Sequence, residues 1–244
     1  MLKHFAVALF MLLAMPKTAQ VGINETIDLS TRYLIANWKA DKTLGKHYPP
    51  QVLPIAEGSK VYGACGEQIA WDEVGGSAYC GLSHTIYLVP SQLRQFHSIF
   101  GASAVAYVIA HEFGHALQRV YQVELQGASL ELQADCLAGV FIGEGSQELG
   151  IARNDVVVMA QAAYGIGSES HGSGPQRSYA LLSGMGVFSS SCKDDEMKIL
   201  ADGKLDAPEL LELSRTRSST ATLDTTATPY PKTAKSALGL WDCR

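Results

Sequence analysis

Apolar residues recur at helical spacing along most of the chain and alternate in only a few short stretches. Ile27, Tyr33, Leu34 and Trp38 share one face of Ile27–Lys42, which predicts a helix. His47–Pro54 is broken by prolines and predicts a loop. Short alternating segments at Ser59–Ala64 and Thr85–Val89 predict strands, with Gly75-Gly76 as a turn between them. A helix is predicted from Ser91 to Phe100. The longest helical pattern follows over Gly101–Val123, where Val105, Val108, Ile109, Ala116, Leu117 and Val120 run without a proline and only Gly114 interrupts. Further helices are predicted over Ser129–Phe141 with Ser129 as N-cap, from an Asn154 or Asp155 cap through Tyr164, and over Gln176–Met185. Gly165–Gly174 between the last two is a polar, glycine-rich loop. Helices with a few strands beside them predict an α+β fold, mostly helical, with a small antiparallel or mixed sheet.

The two ends differ from this pattern. Lys3 and His4 precede the apolar run Phe5–Met15, with Pro16-Lys17-Thr18-Ala19 behind it, which reads as a secretory signal over residues 1–19. The run falls short of the roughly 20 residues a membrane span requires, although an uncleaved anchor is the competing reading. Ser214–Lys235 is dominated by Ser, Thr and Ala with Pro229 and Pro231, as in a linker or disordered tail, and Leu238–Cys243 is apolar enough to dock back. The domain proper is therefore expected over 20–213, with 214–244 as tail. With 19 Lys+Arg against 24 Asp+Glu the net charge is −5, and no basic run could track a nucleic-acid backbone. No nucleic-acid partner is expected, and no stable membrane span after signal cleavage.

Five cysteines (Cys65, Cys80, Cys136, Cys192, Cys243) fit an oxidising compartment, periplasmic or extracellular, and none is spaced as C-x-x-C. Cys65 and Cys80 flank a 14-residue loop and are expected to pair. A Cys136–Cys192 bridge is expected to pin the Gly165–Gly174 loop over the site described next, with Cys192–Cys243 as the alternative.

The chemistry sits in the middle of the longest helix, at His111-Glu112-Phe113-Gly114-His115. Residues four apart lie on one helical face, so both imidazoles can reach one ion. Glu112 is turned about 100° from His111, beside the ion without ligating it. Two neutral nitrogen ligands with a carboxylate base beside them make up the H-E-x-x-H motif of zinc hydrolases. A third ligand is available 16 residues beyond His115, where Glu131 and Asp135 share a helix face. One carboxylate can bind the metal while the other accepts from a ligand histidine.

The segments Val108–Gln118 and Glu131–Phe141 resemble the bacterial putative neutral zinc metallopeptidase family, a zincin of the gluzincin type. The similarity extends to Ala64-Cys65-Gly66, to Tyr79-Cys80 before Thr85-Ile86-Tyr87-Leu88, and to His171-Gly172-Ser173 with Gln176-Arg177, over roughly residues 30–195. The resemblance implies a zincin-like fold with the small sheet beside the active-site helix. It also implies one zinc per chain on His111, His115 and Glu131, with Glu112 as base and Asp135 hydrogen-bonded to a ligand. Two stretches depart from the family pattern. Only Ser168-Glu169-Ser170 separates Gly167 from His171, and Ser178-Tyr179-Ala180-Leu181-Leu182 replaces an aromatic-rich segment.

The leading expectation is a zinc endopeptidase acting on peptide or protein substrates; the alternative is a non-catalytic exported module with a structural zinc. A structural site fills all four positions and has no use for Glu112, which favours the enzyme. His171 could reach the cleft and stabilise an oxyanion, against a purely structural loop histidine. Arg177 is expected as a buried ion-pair partner, Tyr107 as core packing and His84 as unrelated to the metal. Thr85–Leu88, read as an edge strand, could pair with an extended peptide.

Overall fold

The structure, a computed structural model, describes residues 22–56, 58–62, 68–70 and 76–216. The expected signal, Cys65, Cys243 and the chain beyond 216 lie outside these residues, and with them the Cys65–Cys80 pairing. In chain order come α1 (Ile23–Ala40), the short strands β1 (Gln51–Pro54), β2 (Lys60–Tyr62), β3 (Gln68–Ala70), β4 (Ala78–Cys80) and β5 (Thr85–Leu88), then seven helices. These are α2 (Pro90–Phe100), α3 (Ala102–Val120), α4 (Ala128–Glu144), α5 (Arg153–Gly165), α6 (Gly174–Gly184), α7 (Asp194–Ala201) and α8 (Pro208–Thr216). The mostly helical α+β expectation holds. Among the described residues no helix is long and apolar enough to cross a membrane.

The three-stranded sheet has the order β1-β5-β4, with β1 parallel and β4 antiparallel to β5, while β2 and β3 form a separate hairpin. Two sequence expectations are corrected here. The proline-broken loop contains β1, because Gln51 and Ile55 donate backbone hydrogen bonds to His84 and Leu88 carbonyls. Pro54 is tolerated because β1 is an outer strand, where a missing N–H costs little. Thr85–Leu88 is in turn the central strand, bonded on both sides, so it offers no open edge for a peptide.

Two caps are also corrected. Gly127, with φ +51°, takes the N-cap of α4, and Ser129 lies inside the first turn with its hydroxyl donating to Gln126 O at 2.8 Å. Ala152 is the N-cap of α5, and Asp155 serves from within the helix by accepting the Ala152 N–H at 2.8 Å. The short helices α7 and α8 carry no strong sequence signal, and α8 crosses the expected boundary at 213. Packing holds α7: Met197 and Leu200 are fully buried with Leu132, Cys136, Tyr179 and Ala180.

Helix α3 is the spine. Residues 103–114 are all buried, and α1, α2, α4, α5 and the sheet pack around it. Against this, α4 lies closely between α3 and α6. A Cβ at Gly114 would stand 2.9 Å from Ala134 O, and one at Gly184 only 1.8 Å from Cys136 O. Glycine is therefore required at both helix crossings, and the helices approach more closely than any larger residue allows. The Cys136–Cys192 disulfide adds a covalent tie between α4 and the connector after α6, with Cα atoms 5.6 Å apart. Across its separation of 56 residues it stabilises by about 4 kcal/mol in the chain-entropy account. It holds that connector, not the 166–173 loop, which instead rests on α4 through Gly172 against Leu132.

Gly184→Ala is expected to lose roughly 1–3 kcal/mol, since the methyl meets backbone that cannot move without parting α4 from α6. Urea unfolding should read this as a lower midpoint at unchanged slope; an unaltered midpoint would refute the close-packing account.

Candidate metal centre

Three ligand atoms converge from two helices. His111 and His115, one turn apart on α3, bring their Nε2 atoms to 3.2 Å of each other. Glu131, in the first turn of α4, sets Oε2 3.3 Å from His111 Nε2 and Oε1 3.6 Å from His115 Nε2. His111, His115 and Glu131 are the His/Cys/Asp/Glu group among the described residues whose donor atoms could hold one ion.

The far nitrogens settle what this triangle presents. His111 Nδ1 lies 2.8 Å from Asp135 Oδ1, an acceptor with no proton to give. His115 Nδ1 lies 2.8 Å from Gln118 Oε1, and the Gln118 amide is oriented by its own N–H groups, donated to Leu130 O and Gln133 Oε1. Both imidazoles therefore carry hydrogen on Nδ1, which leaves Nε2 as the atom each can turn on an ion beside the Glu131 carboxylate. Zinc–nitrogen bonds of roughly 2.0–2.1 Å put tetrahedral ligand atoms about 3.3 Å apart, which the observed separations match. The donor set fits zinc.

Residues 36–179 match the family described as "Putative neutral zinc metallopeptidase". The chain belongs to this family. Among curated proteins, it is 32% identical over 146 residues to "Uncharacterized protein YpfJ" of Escherichia coli K12, covering 52% of this chain and 49% of that one. It is 38% identical over 81 residues to "Uncharacterized protein Rv2575" of Mycobacterium tuberculosis, covering 27% of this chain and 28% of the other. The chain thus spans about half the length or less of these relatives. No solved structure matches.

The remaining residues around the site divide by position. Asp135 is wholly buried and accepts four hydrogen bonds: from His111, from Tyr107 OH at 2.6 Å, and from Arg177 Nε and Nη2, both at 2.8 Å. Burial pushes its carboxyl up, but Arg177 and His111 outweigh this and hold it down at about 2. Arg177 is the expected buried ion-pair partner. Tyr107 does more than fill the core, because its hydroxyl also accepts from Arg177 Nη2 at 3.2 Å. Tyr107 stands one turn before His111, a spacing that by itself predicts packing, and its hydroxyl's partners come from α4 and α6.

Glu112 is buried, and burial pushes its carboxyl up, opposed by the two imidazoles and a hydrogen bond from the Tyr79 backbone N–H. Tyr79 lies in β4, so an outer strand of the sheet touches Glu112 directly. His171 Nε2 faces the triangle 3.8 Å from Glu131 Oε2, while Nδ1 is held by the Ser168 and Ser170 hydroxyls. Burial keeps its pKa below the ordinary value. His84 lies elsewhere, between Tyr79 OH and Tyr48 O at 2.7 and 2.8 Å, and is structural as expected. Cys80 is buried, with no disulfide partner among the described residues. Sequence reading missed Gln118 and Gln133; their signal was two polar residues on the buried faces of their helices.

Arg177→Leu should cost about 3–5 kcal/mol, because it strands the Asp135 carboxylate without its guanidinium. Chemical denaturation checks this, and a loss below 1 kcal/mol would show that the pair does not hold α6 to α4.

Proposed function

We propose that the protein is an exported zinc-dependent endopeptidase. The observation that carries this reading is the triangle of two imidazole Nε2 atoms and a carboxylate with the buried Glu112 beside it. His111, His115 and Glu131 would hold one zinc per chain and leave a position open for water or substrate. Bound there, zinc would polarise the scissile carbonyl and make the water acidic.

Glu112 accepts the water's proton and later returns it to the leaving nitrogen. Its raised pKa, set by burial, suits a group that must both take and give a proton near neutrality. Asp135 keeps His111 in the Nδ1–H tautomer and fixes its ring. His171 is read as the oxyanion donor. Nδ1 is held by the Ser168 and Ser170 hydroxyls at 3.0 and 2.9 Å, and with a hydroxyl donating to Nδ1 the hydrogen sits on Nε2 and faces the cleft. An extended substrate that joins the sheet would lie along β4, whose Tyr79 N–H orients Glu112. The Cys136–Cys192 bridge supports export to an oxidising compartment.

The competing reading, a binding module with structural zinc, has no role for a buried carboxylate that ligates nothing. Zinc-dependent cleavage of unstructured casein separates the two. Purified protein is expected to carry close to one zinc, and His115→Ala to lose most of it by metal analysis; full occupancy in that variant would remove the ligand assignment. Glu112→Gln is expected to keep fold and zinc but lose roughly 10²–10⁴-fold in casein turnover. Turnover at the wild-type rate would rule out Glu112 as the base.

A further inference from the structure

The two ligand histidines are oriented by unequal means. His111 meets a carboxylate directly in Asp135. His115 meets only the neutral amide oxygen of Gln118, yet a chain of hydrogen bonds continues from there. Gln118 Nε2 donates to Gln133 Oε1 at 3.1 Å, and Gln133 Nε2 donates to Asp194 Oδ1 at 2.7 Å and to Cys192 O at 2.9 Å. Both glutamines are buried, 4% and 5% exposed, so neither amide can exchange these partners for water. Every donor in the chain points away from His115 and toward the Asp194 carboxylate.

We propose that Gln118, Gln133 and Asp194 form an orienting relay for His115, in which a carboxylate two amides away does for this ligand what Asp135 does for His111. Hydrogen bonds in series polarise one another, so the Asp194 charge makes the Gln118 oxygen a stronger acceptor for Nδ1–H. The backbone end of the relay is the Cys192 carbonyl, held to α4 by the disulfide at Cys136. Gln118 and Gln133 are thus positioning residues that connect the metal site to the start of α7. The inference rests on the zinc-site reading above.

The test measures zinc affinity by competition with a chromophoric chelator, and the His115 tautomer by nitrogen–proton NMR on the metal-free protein. Gln133→Leu is expected to lower zinc affinity roughly 10- to 100-fold and to shift His115 away from the Nδ1–H form. Gln118→Glu retains an acceptor for Nδ1–H and should stay within about threefold of wild type, whereas Gln118→Leu should fall as Gln133→Leu does. Asp194 is exposed, so Asp194→Ala leaves the core intact and keeps the test alive if the glutamine variants unfold. It is expected to lose affinity severalfold. Wild-type affinity and tautomer in Gln133→Leu, or in Asp194→Ala where Gln133→Leu does not fold, would overturn the relay and leave the zinc site standing. Absence of zinc binding by the wild-type protein would instead defeat the site reading, and the metal-free tautomer would still decide the relay.

Discussion

The buried Asp135 carboxylate is the interaction on which the rest of the structure depends. A single wholly buried anion from α4 sits where α3, α4 and α6 meet, and the other two helices supply its donors: Tyr107 and His111 from α3, Arg177 from α6. Desolvating such a charge costs several kcal/mol, which is offset only by complete pairing in good geometry. The bidentate Arg177 fork and two further donors meet that requirement. With the carboxyl held down at about 2, its contribution to stability is complete above the ordinary carboxylate range and is lost as pH falls toward that value. The same four bonds that make the burial tolerable also fix the His111 ring. Stability and the geometry of the candidate metal site therefore share one group.

Close helix approach is the second constraint. The imidazoles come from α3 and the carboxylate from α4, and ligand atoms 3.2–3.6 Å apart leave little tolerance in the interaxial distance. Gly114 lies between the two histidines on the chain and lets the Ala134 backbone come against α3. A side chain there would push Glu131 away from the imidazoles. At the other face of α4, Gly184 lets α6 approach, which brings Arg177 within reach of Asp135.

The two sides of the molecule serve different ends. The large core around α3 is apolar, from Trp38 and Phe96 to Ile142 and Met159, and gives the helix that carries His111 and His115 a rigid base. The smaller cluster under α7 and α8 is bordered by the disulfide and by the Gln133 amide. Sites that must hold a metal within tenths of an ångström need such support behind every ligand.

What the sequence determined is what local geometry determines. Helical periodicity located α1, α2, α3 and α4 within a few residues. Spacing of four put His111 with His115, and Glu131 with Asp135, because residues one turn apart share a face whatever the rest of the chain does. The order of elements left Cys192 open to Cys136 or Cys243, and the fold chose Cys136. Tertiary structure decided everything whose partner is distant along the chain. Thr85–Leu88 became a central strand because β1 arrives on its far side. Ser129 lost its cap position to a glycine with positive φ. Arg177 found Asp135 42 residues away, and Gln133 found Asp194 61 residues away. A periodic pattern states which face a residue occupies but not what lies opposite, and buried polar groups take their roles from what lies opposite.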